Sequence, residues 1–127
     1  MISIIEDLSS IIPKTYKIRL NYVDEKDEGL SIIEHNVIYD DSAELERLNK
    51  IIKSEVQFYI TNKSGKLYNK SLCDMLDIYD TLCGRVYSEL GDKYILDIQG
   101  GQIANLGRLE GFDAVSMDVV ITYKIIK

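Results

Sequence analysis

Apolar residues recur along the chain with two periods, and the places where one gives way to the other divide it into elements. Ile4, Ile5, Leu8, Ile11 and Ile12 share one face of a short N-terminal helix, with Ser3 and Glu6 at capping-box spacing and Pro13 as its stop. From Tyr16 to Val23 the period is two. Tyr16, Ile18, Leu20 and Tyr22 point one way and Lys17, Arg19 and Asn21 the other, as in a half-buried strand. A charged turn closing on Gly29 leads to a return strand, Leu30 to Tyr39, whose phase breaks near Ile33 as at a bulge. The segment from Asp41 to Ser54 has two readings. Asp41 and Glu44 could cap a short helix carrying Leu45, Leu48 and Ile52, or the segment could be an arm between strands. Glu55 to Thr61 predicts a strand, and Gly65 a turn after it.

The strongest helical pattern runs from Ser71 to Leu90. Leu72, Met75, Leu76, Tyr79, Leu82, Cys83, Val86, Tyr87 and Leu90 fall within an arc of about 140°, with Gly91 as the stop. Lys93 to Ile98 then reads as a strand and Gln99 to Gly111 as a loop. In the terminal strand Val115, Met117, Val119, Ile121, Tyr123 and Ile125 alternate with Ser116, Asp118, Thr122 and Lys124, Val120 being the exception. The expected fold is a single α+β domain over residues 1–127. It has a mainly antiparallel sheet of about 4–5 strands, packed with one long helix and a short N-terminal one.

Charge narrows the function classes. With 15 basic and 21 acidic residues the net charge is −6, the wrong sign for a protein that holds nucleic acid through its phosphates. No apolar run approaches the roughly 18 residues needed to span a bilayer. The first residues carry Glu6 and Asp7 within the apolar stretch and do not read as a signal peptide. Cys73 and Cys83, on one predicted helix, stand about 15 Å apart along its axis, beyond disulfide reach. They read as free thiols, Cys83 packed on the apolar stripe.

Candidate chemistry is sparse. His35, the single histidine, sits beside Glu34 with no partner near in sequence and reads as a surface or edge residue. Asp74, Asp77 and Asp80 advance by 300° per step, so they drift around a helix rather than converge on an ion. The glycine-rich stretch Gly100 to Arg108 lacks a lysine-serine/threonine ending and is followed by a strand, not a helix N-terminus, so phosphate binding is disfavoured. No nucleophile, metal-ligand set or cofactor motif stands out, and the expectation is a protein without a catalytic site.

The order of the later elements carries a resemblance. A strand ending near "VQFYIT", a helix containing "DIYDTL", then "YILDI", "LGRLEGFD" and the terminal "VSMDVVITYKI" resemble the bacteriophage tail terminator proteins. These are often labelled minor capsid proteins in phages and prophages of Gram-positive bacteria. The residues that match are Ile78, Tyr79, Asp80 and Leu82 in the helix, Gly107, Arg108 and Gly111 before the last strand, and Tyr123 within it. The resemblance covers about residue 55 to the end. It departs between Asp41 and Ser54, where the family tends to a proline-bearing loop.

The resemblance implies a structural virion protein. It would form a ring, usually hexameric, that caps the tail tube, ends its polymerisation and offers the tail-side surface for head-tail joining. The partners implied are copies of the chain, the tail tube protein and the connector or stopper of the neck. DNA would pass without specific binding, with no membrane involved and no cofactor. The location implied is the virion tail or neck, and the host cytoplasm during assembly. A closed ring needs two different patches to meet. The candidates are Leu106, Gly107, Arg108, Gly111 and Phe112 on one side and Leu45, Arg47 and Leu48 on the other. Arg108 would pair with an acid across the boundary, or else be a solvated loop residue. The competing expectations are another neck or head-completion protein, and a small acidic inhibitor or immunity-like module that masks a basic partner.

Overall fold

The computed structural model describes residues 3–12, 15–24, 27–40, 51–63, 68–109 and 112–126. The elements in chain order are α1 (Ile5–Ile11), β1 (Ile18–Leu20), β2 (Gly29–Asp40), β3 (Ile51–Asn62), α2 (Tyr68–Cys83), β4 (Glu89–Leu90), β5 (Lys93–Leu109) and β6 (Phe112–Ile125). Six strands form one curled sheet in the order β1-β2-β3-β6-β5-β4. All neighbours are antiparallel except β1 and β2, so the α+β class stands and the sheet is mixed.

The pair β3–β6 is the middle of the sheet. Every residue from Ile51 to Asn62 has a partner between Lys124 and Asp113, without a bulge. Period two then sends Ile52, Val56, Phe58 and Ile60 of β3, and Val115, Met117, Val119, Ile121 and Tyr123 of β6, to one face, where all are buried. Both helices lie on that face. Ile4, Ile5 and Leu8 of the α1 region and Met75, Ile78 and Leu82 of α2 complete the core.

Several sequence-based expectations change. The Ser3–Glu6 capping box does not form. The helix begins at Ile5, with Ile4 at the cap and no side-chain cap bond, while Ser3 Oγ reaches Glu34 Oε1 at 3.4 Å. Ile12 is extended (ψ 138°), as the residue before a proline must be. β1 keeps only three residues and runs parallel to β2, since alternation carries no information about strand direction. Arg19, expected outside, is 3% exposed, its Nη2 donating to Asp27 Oδ2 at 3.0 Å and to the Glu28 carbonyl at 2.9 Å. The guanidinium lies against Gly29, where a Cβ would fall 2.2 Å from Nη1, so that position needs glycine for close approach.

The bulge expected in β2 is present, with the register shifting between Glu34 and Asn36 at His35. β3 starts at Ile51, so the predicted helix from Asp41 is excluded over residues 51–54; Leu45, Arg47 and Leu48 lie outside the described residues. α2 ends at Cys83 instead of reaching Leu90. Gly84 opens a turn, Tyr87 adopts φ 63°, and Glu89–Leu90 pair with Tyr94 and Lys93 through a tight turn at Gly91, whose φ is 62°. Val86 and Leu90 continue the apolar period of the helix, but they pack from turn and strand. The true core face of α2 is Ser71, Met75, Ile78 and Leu82; Cys83 is exposed, not packed on a stripe, and Cys73 is exposed as well. The stretch predicted as a loop, Gln99 to Gly111, is strand as far as Leu109. β5 has three register shifts, at Ile95/Asp97, Gly100/Gln102 and Asn105/Gly107, and the last two accommodate its glycines.

Polar anchors tie the helices to the sheet. Tyr16 donates to Asp74 Oδ2 at 2.5 Å, Lys70 Nζ lies 2.6 Å from the same oxygen, and Asn62 donates to Ser71 Oγ and to Tyr16. Burial, assisted by Asp74, raises the pKa of the Tyr16 phenol. At the other end Lys93, only 5% exposed, extends Nζ to Asp7 of α1 at 2.5 Å and to Asp92 at 2.8 Å. Burial alone would lower the pKa of this ammonium, but the two carboxylates outweigh it and hold the pKa above the ordinary value.

Lys93→Met should cost about 1–3 kcal/mol, because the variant leaves Asp7 without its cation. A pKa raised on folding stabilises the protein fully below the ordinary lysine value of 10.5, and the gain is lost as pH rises through the folded value. Urea unfolding of both proteins should therefore give a constant difference near neutrality that shrinks only above that value. A difference already gone at pH 9 would show that the ion pair does not hold α1.

Candidate functional site

The helices cover one face of the sheet, and among the described residues part of the other is open. On that outward face the alternation of β3 presents Lys53, Glu55 and Gln57, and that of β6 presents Asp118, Val120 and Thr122. The curl makes the face concave. An open groove of about 820 Å³ runs across four strands, lined by His35 from β2, Glu55 and Gln57 from β3, Asp118 and Val120 from β6, and Gln102 and Ala104 from β5. Tyr59 and Ser116, the next pair along the same face, are buried, and the open stretch stops there.

Register fixes the chemistry of the groove. Gln57, Asp118 and Gln102 are consecutive cross-strand partners, and Glu55 sits opposite Val120. Glu55 and Asp118 are therefore diagonal neighbours on one face, close enough for their charges to interact. Neither makes an ion pair among the described residues. The bulge aims His35 across the strand, and its Nε2 lies 2.9 Å from Gln57 Oε1. Carboxylates, amides and a short apolar floor suit non-covalent recognition. Among the described residues no three His, Cys, Asp or Glu side chains are placed to hold a metal ion, and no helix is long and apolar enough to cross a membrane.

Gly100 and Gly101 shape one wall of this groove. Gly100 (φ 94°) brings β5 so near β6 that a Cβ there would lie 2.7 Å from the Asp118 carbonyl oxygen. Gly101 (φ 88°) receives the Tyr79 ring from the helix side, where a Cβ would fall 2.3 Å from Cε1. The glycines that suggest a phosphate loop in the sequence are thus a bulge inside a strand, with a helix ring on one side and the groove on the other.

The expected interface residues fare unevenly. Leu106 is exposed, at 43%, on the outer strand β5. Gly107 takes φ 82°, its N–H donating to Asn105 Oδ1 at 2.9 Å, and has open space where a Cβ would be. Arg108 is in β5 opposite Asp113, not in a loop, and its side chain lies outside the described residues. Phe112, half-buried, opens β6 opposite Leu109; Gly111 lies outside the described residues, as do Leu45, Arg47 and Leu48. The described ends of the strands that lead to the two expected patches lie apart. The β5–β6 hairpin closes at Leu109/Phe112, whereas β2 and β3 part at Asp40/Ile51, at the opposite end of the sheet. His35, Glu55, Gln57, Gln102 and Asp118 were absent from the sequence-based candidates. The alternation of the last strand sets Asp118 opposite the apolar face, but says nothing of its neighbours. Of the aspartate series on α2, Asp77 and Asp80 are exposed, while Asp74 is held by Tyr16 and Lys70.

Both sheet edges are incompletely covered. β1 pairs with β2 only at Leu30–Ile32, and Asn21 reaches one step further, its Oδ1 accepting from Glu34 N–H. β4 pairs with β5 only at Lys93 and Tyr94, and the preceding turn reaches Ile95. Among the described residues no strand lies beside His35–Asp40 of β2 or beside residues 96–109 of β5. Ile38, 49% exposed, stands on the first edge and Leu106 on the second.

No protein-family model matches this chain, and no curated protein sequence matches it.

Gly101→Ala should destabilise the protein by about 1–3 kcal/mol, through a positive φ and overlap with the Tyr79 ring. A double-mutant cycle with Tyr79→Ala separates the two effects. Urea midpoints should show the glycine substitution costing less once the ring is gone. Strict additivity would mean that Tyr79 does not pack on the bulge.

Proposed function

We propose that this chain is a ring-forming structural protein that caps a bacteriophage tail tube, ends its polymerisation and presents a surface for head-tail joining. The observation that carries the reading is the pair of unlike edges, each partly unpaired among the described residues, on opposite sides of one sheet. A backbone edge is a ready template for another strand. Two different edges meeting head to tail are a heterologous contact, which closes into a ring when the rotation allows. Strand direction fits. β2 and β5 run antiparallel within the chain, so a rotation about an axis near the strands sets β5 of one copy antiparallel to β2 of the next. The free stretches are offset along the strands, and pairing them would tilt the sheet, as closed barrels require.

The order of "DIYDTL", "YILDI" and "VSMDVVITYKI" supports the assignment to tails, and a net charge of −6 suits a ring through which DNA slides without being held. The tube protein and a neck connector or stopper are the partners, in the virion and in the host cytoplasm during assembly. A related neck protein with the same ring is the nearest alternative. An acidic inhibitor-like module would have no use for the edges.

Light scattering at several concentrations, with negative-stain imaging, should find rings of about six copies with open centres, either alone or on added tail tubes. Ile38→Lys places a charge on an exposed edge position without touching the core. It should weaken assembly on the order of tenfold while leaving thermal unfolding of the monomer unchanged. Tubes whose ends stay bare at saturating protein would overturn the reading.

A further inference from the structure

We propose that the groove on the outward sheet face is a docking site for a basic segment of a partner protein, a short stretch bearing lysine or arginine with small apolar residues between. The groove belongs to a single chain, whether or not copies assemble into rings.

Its first leg is charge. Glu55 and Asp118 are diagonal neighbours on a concave surface, and neither has a cationic partner among the described residues. The facing cations are few. Lys53 stands one step along β3 and is exposed without an ion pair to either acid, and Lys124 lies over the Tyr94 ring, 5.3 Å from its centroid. Two like charges held close repel, and a bound cation from outside relieves the repulsion.

Shape and composition supply the second leg. Val120, Ala104 and Gly100 keep the floor low and apolar, so a docked main chain can approach, and Gln57 and Gln102 offer amide donors and acceptors at its level. The site is carried by four paired strands, which removes much of the ordering cost from binding. At about 820 Å³ and open along its length, it suits a side of chain better than an enclosed small molecule.

Charge also selects the occupant. Nucleic acid has the wrong sign, and a second copy of this chain would bring its own excess, 21 acidic against 15 basic residues. A basic stretch of a partner with the opposite net charge complements the groove better than either.

The test uses the full chain labelled with nitrogen-15 and a synthetic dodecapeptide with lysine at alternate positions, separated by valine and serine. A glutamate-for-lysine counterpart serves as control. Saturable amide shifts should concentrate at His35, Glu55, Gln57, Gln102 and Asp118, and weaken with added salt. E55Q/D118N should bind at least tenfold more weakly, whereas D77N/D80N, which removes the same charge from exposed positions on α2, should bind as the parent does. Shifts spread equally over α2, binding unchanged in E55Q/D118N, equal binding of the glutamate peptide, or no saturable binding would each overturn the proposal.

Discussion

The unbroken register between β3 and β6 is the constraint on which the other features depend. Because side chains alternate, the pairing of Phe58 with Met117 and of Val56 with Val119 commits one whole face of both strands to the core. A slip of one residue would exchange Met117 for Asp118 and Phe58 for Gln57, burying two polar groups and exposing two large apolar ones. The same register that buries the core therefore gathers Glu55, Gln57 and Asp118 on the far side. Core and groove are two faces of one decision. All bulges lie outside this pair, one in β2 and three in β5. The centre stays regular while the flanks bend, and that bending makes the outward face concave.

The helix side is tied down at its rim by specific polar contacts and in its middle by apolar packing. Lys93 with Asp7 and Asp92 anchors α1 where β5 begins, and Asn62, Ser71, Tyr16 and Asp74 join the end of β3 to the start of α2. Between them the Tyr79 ring rests on Gly101. These contacts bring together residues far apart in sequence, and they hold both helices to one face. Among the described residues neither helix lies on the other face, where Glu55, Gln57 and Asp118 are left at the surface while Tyr59 and Ser116 are buried.

How much of this could be read beforehand follows from the range of each signal. Alternation in Val115–Ile125 and in Glu55–Thr61 is local and strong, so both strands were legible, as was the broken phase that became the bulge at His35. Gln99–Gly111 was misread because glycine and amide residues signal loops. Nothing local says that positive φ at Gly100, Gly101 and Gly107 can be absorbed as bulges against a long partner strand. The end of α2 was missed for the opposite reason, since Val86 and Leu90 keep the helical period by coincidence while Gly84 breaks the backbone. Burial of Arg19 and of Lys93 was invisible because each depends on an acid or carbonyl placed by a loop or a distant helix. The groove was half legible. Alternation in the last strand sets Asp118 apart from the core face, but only the register tells which residues lie beside it.

The edges and the open face would engage partners by different physics. Edge pairing is made by backbone amides and carbonyls, so it depends on strand length, register and the absence of charge along the edge, and little on ionic strength. The groove is made by side chains with unbalanced charge, so it discriminates by sign and is screened by salt. The edges lie at the sides of the sheet and the groove on its surface, with His35 and Gln102 belonging to both. As proposed, then, identical copies would join through the edges and a different protein would be selected through the face. The cost is a single helix layer, and the contacts at Lys93 and Gly101 are where that layer is secured.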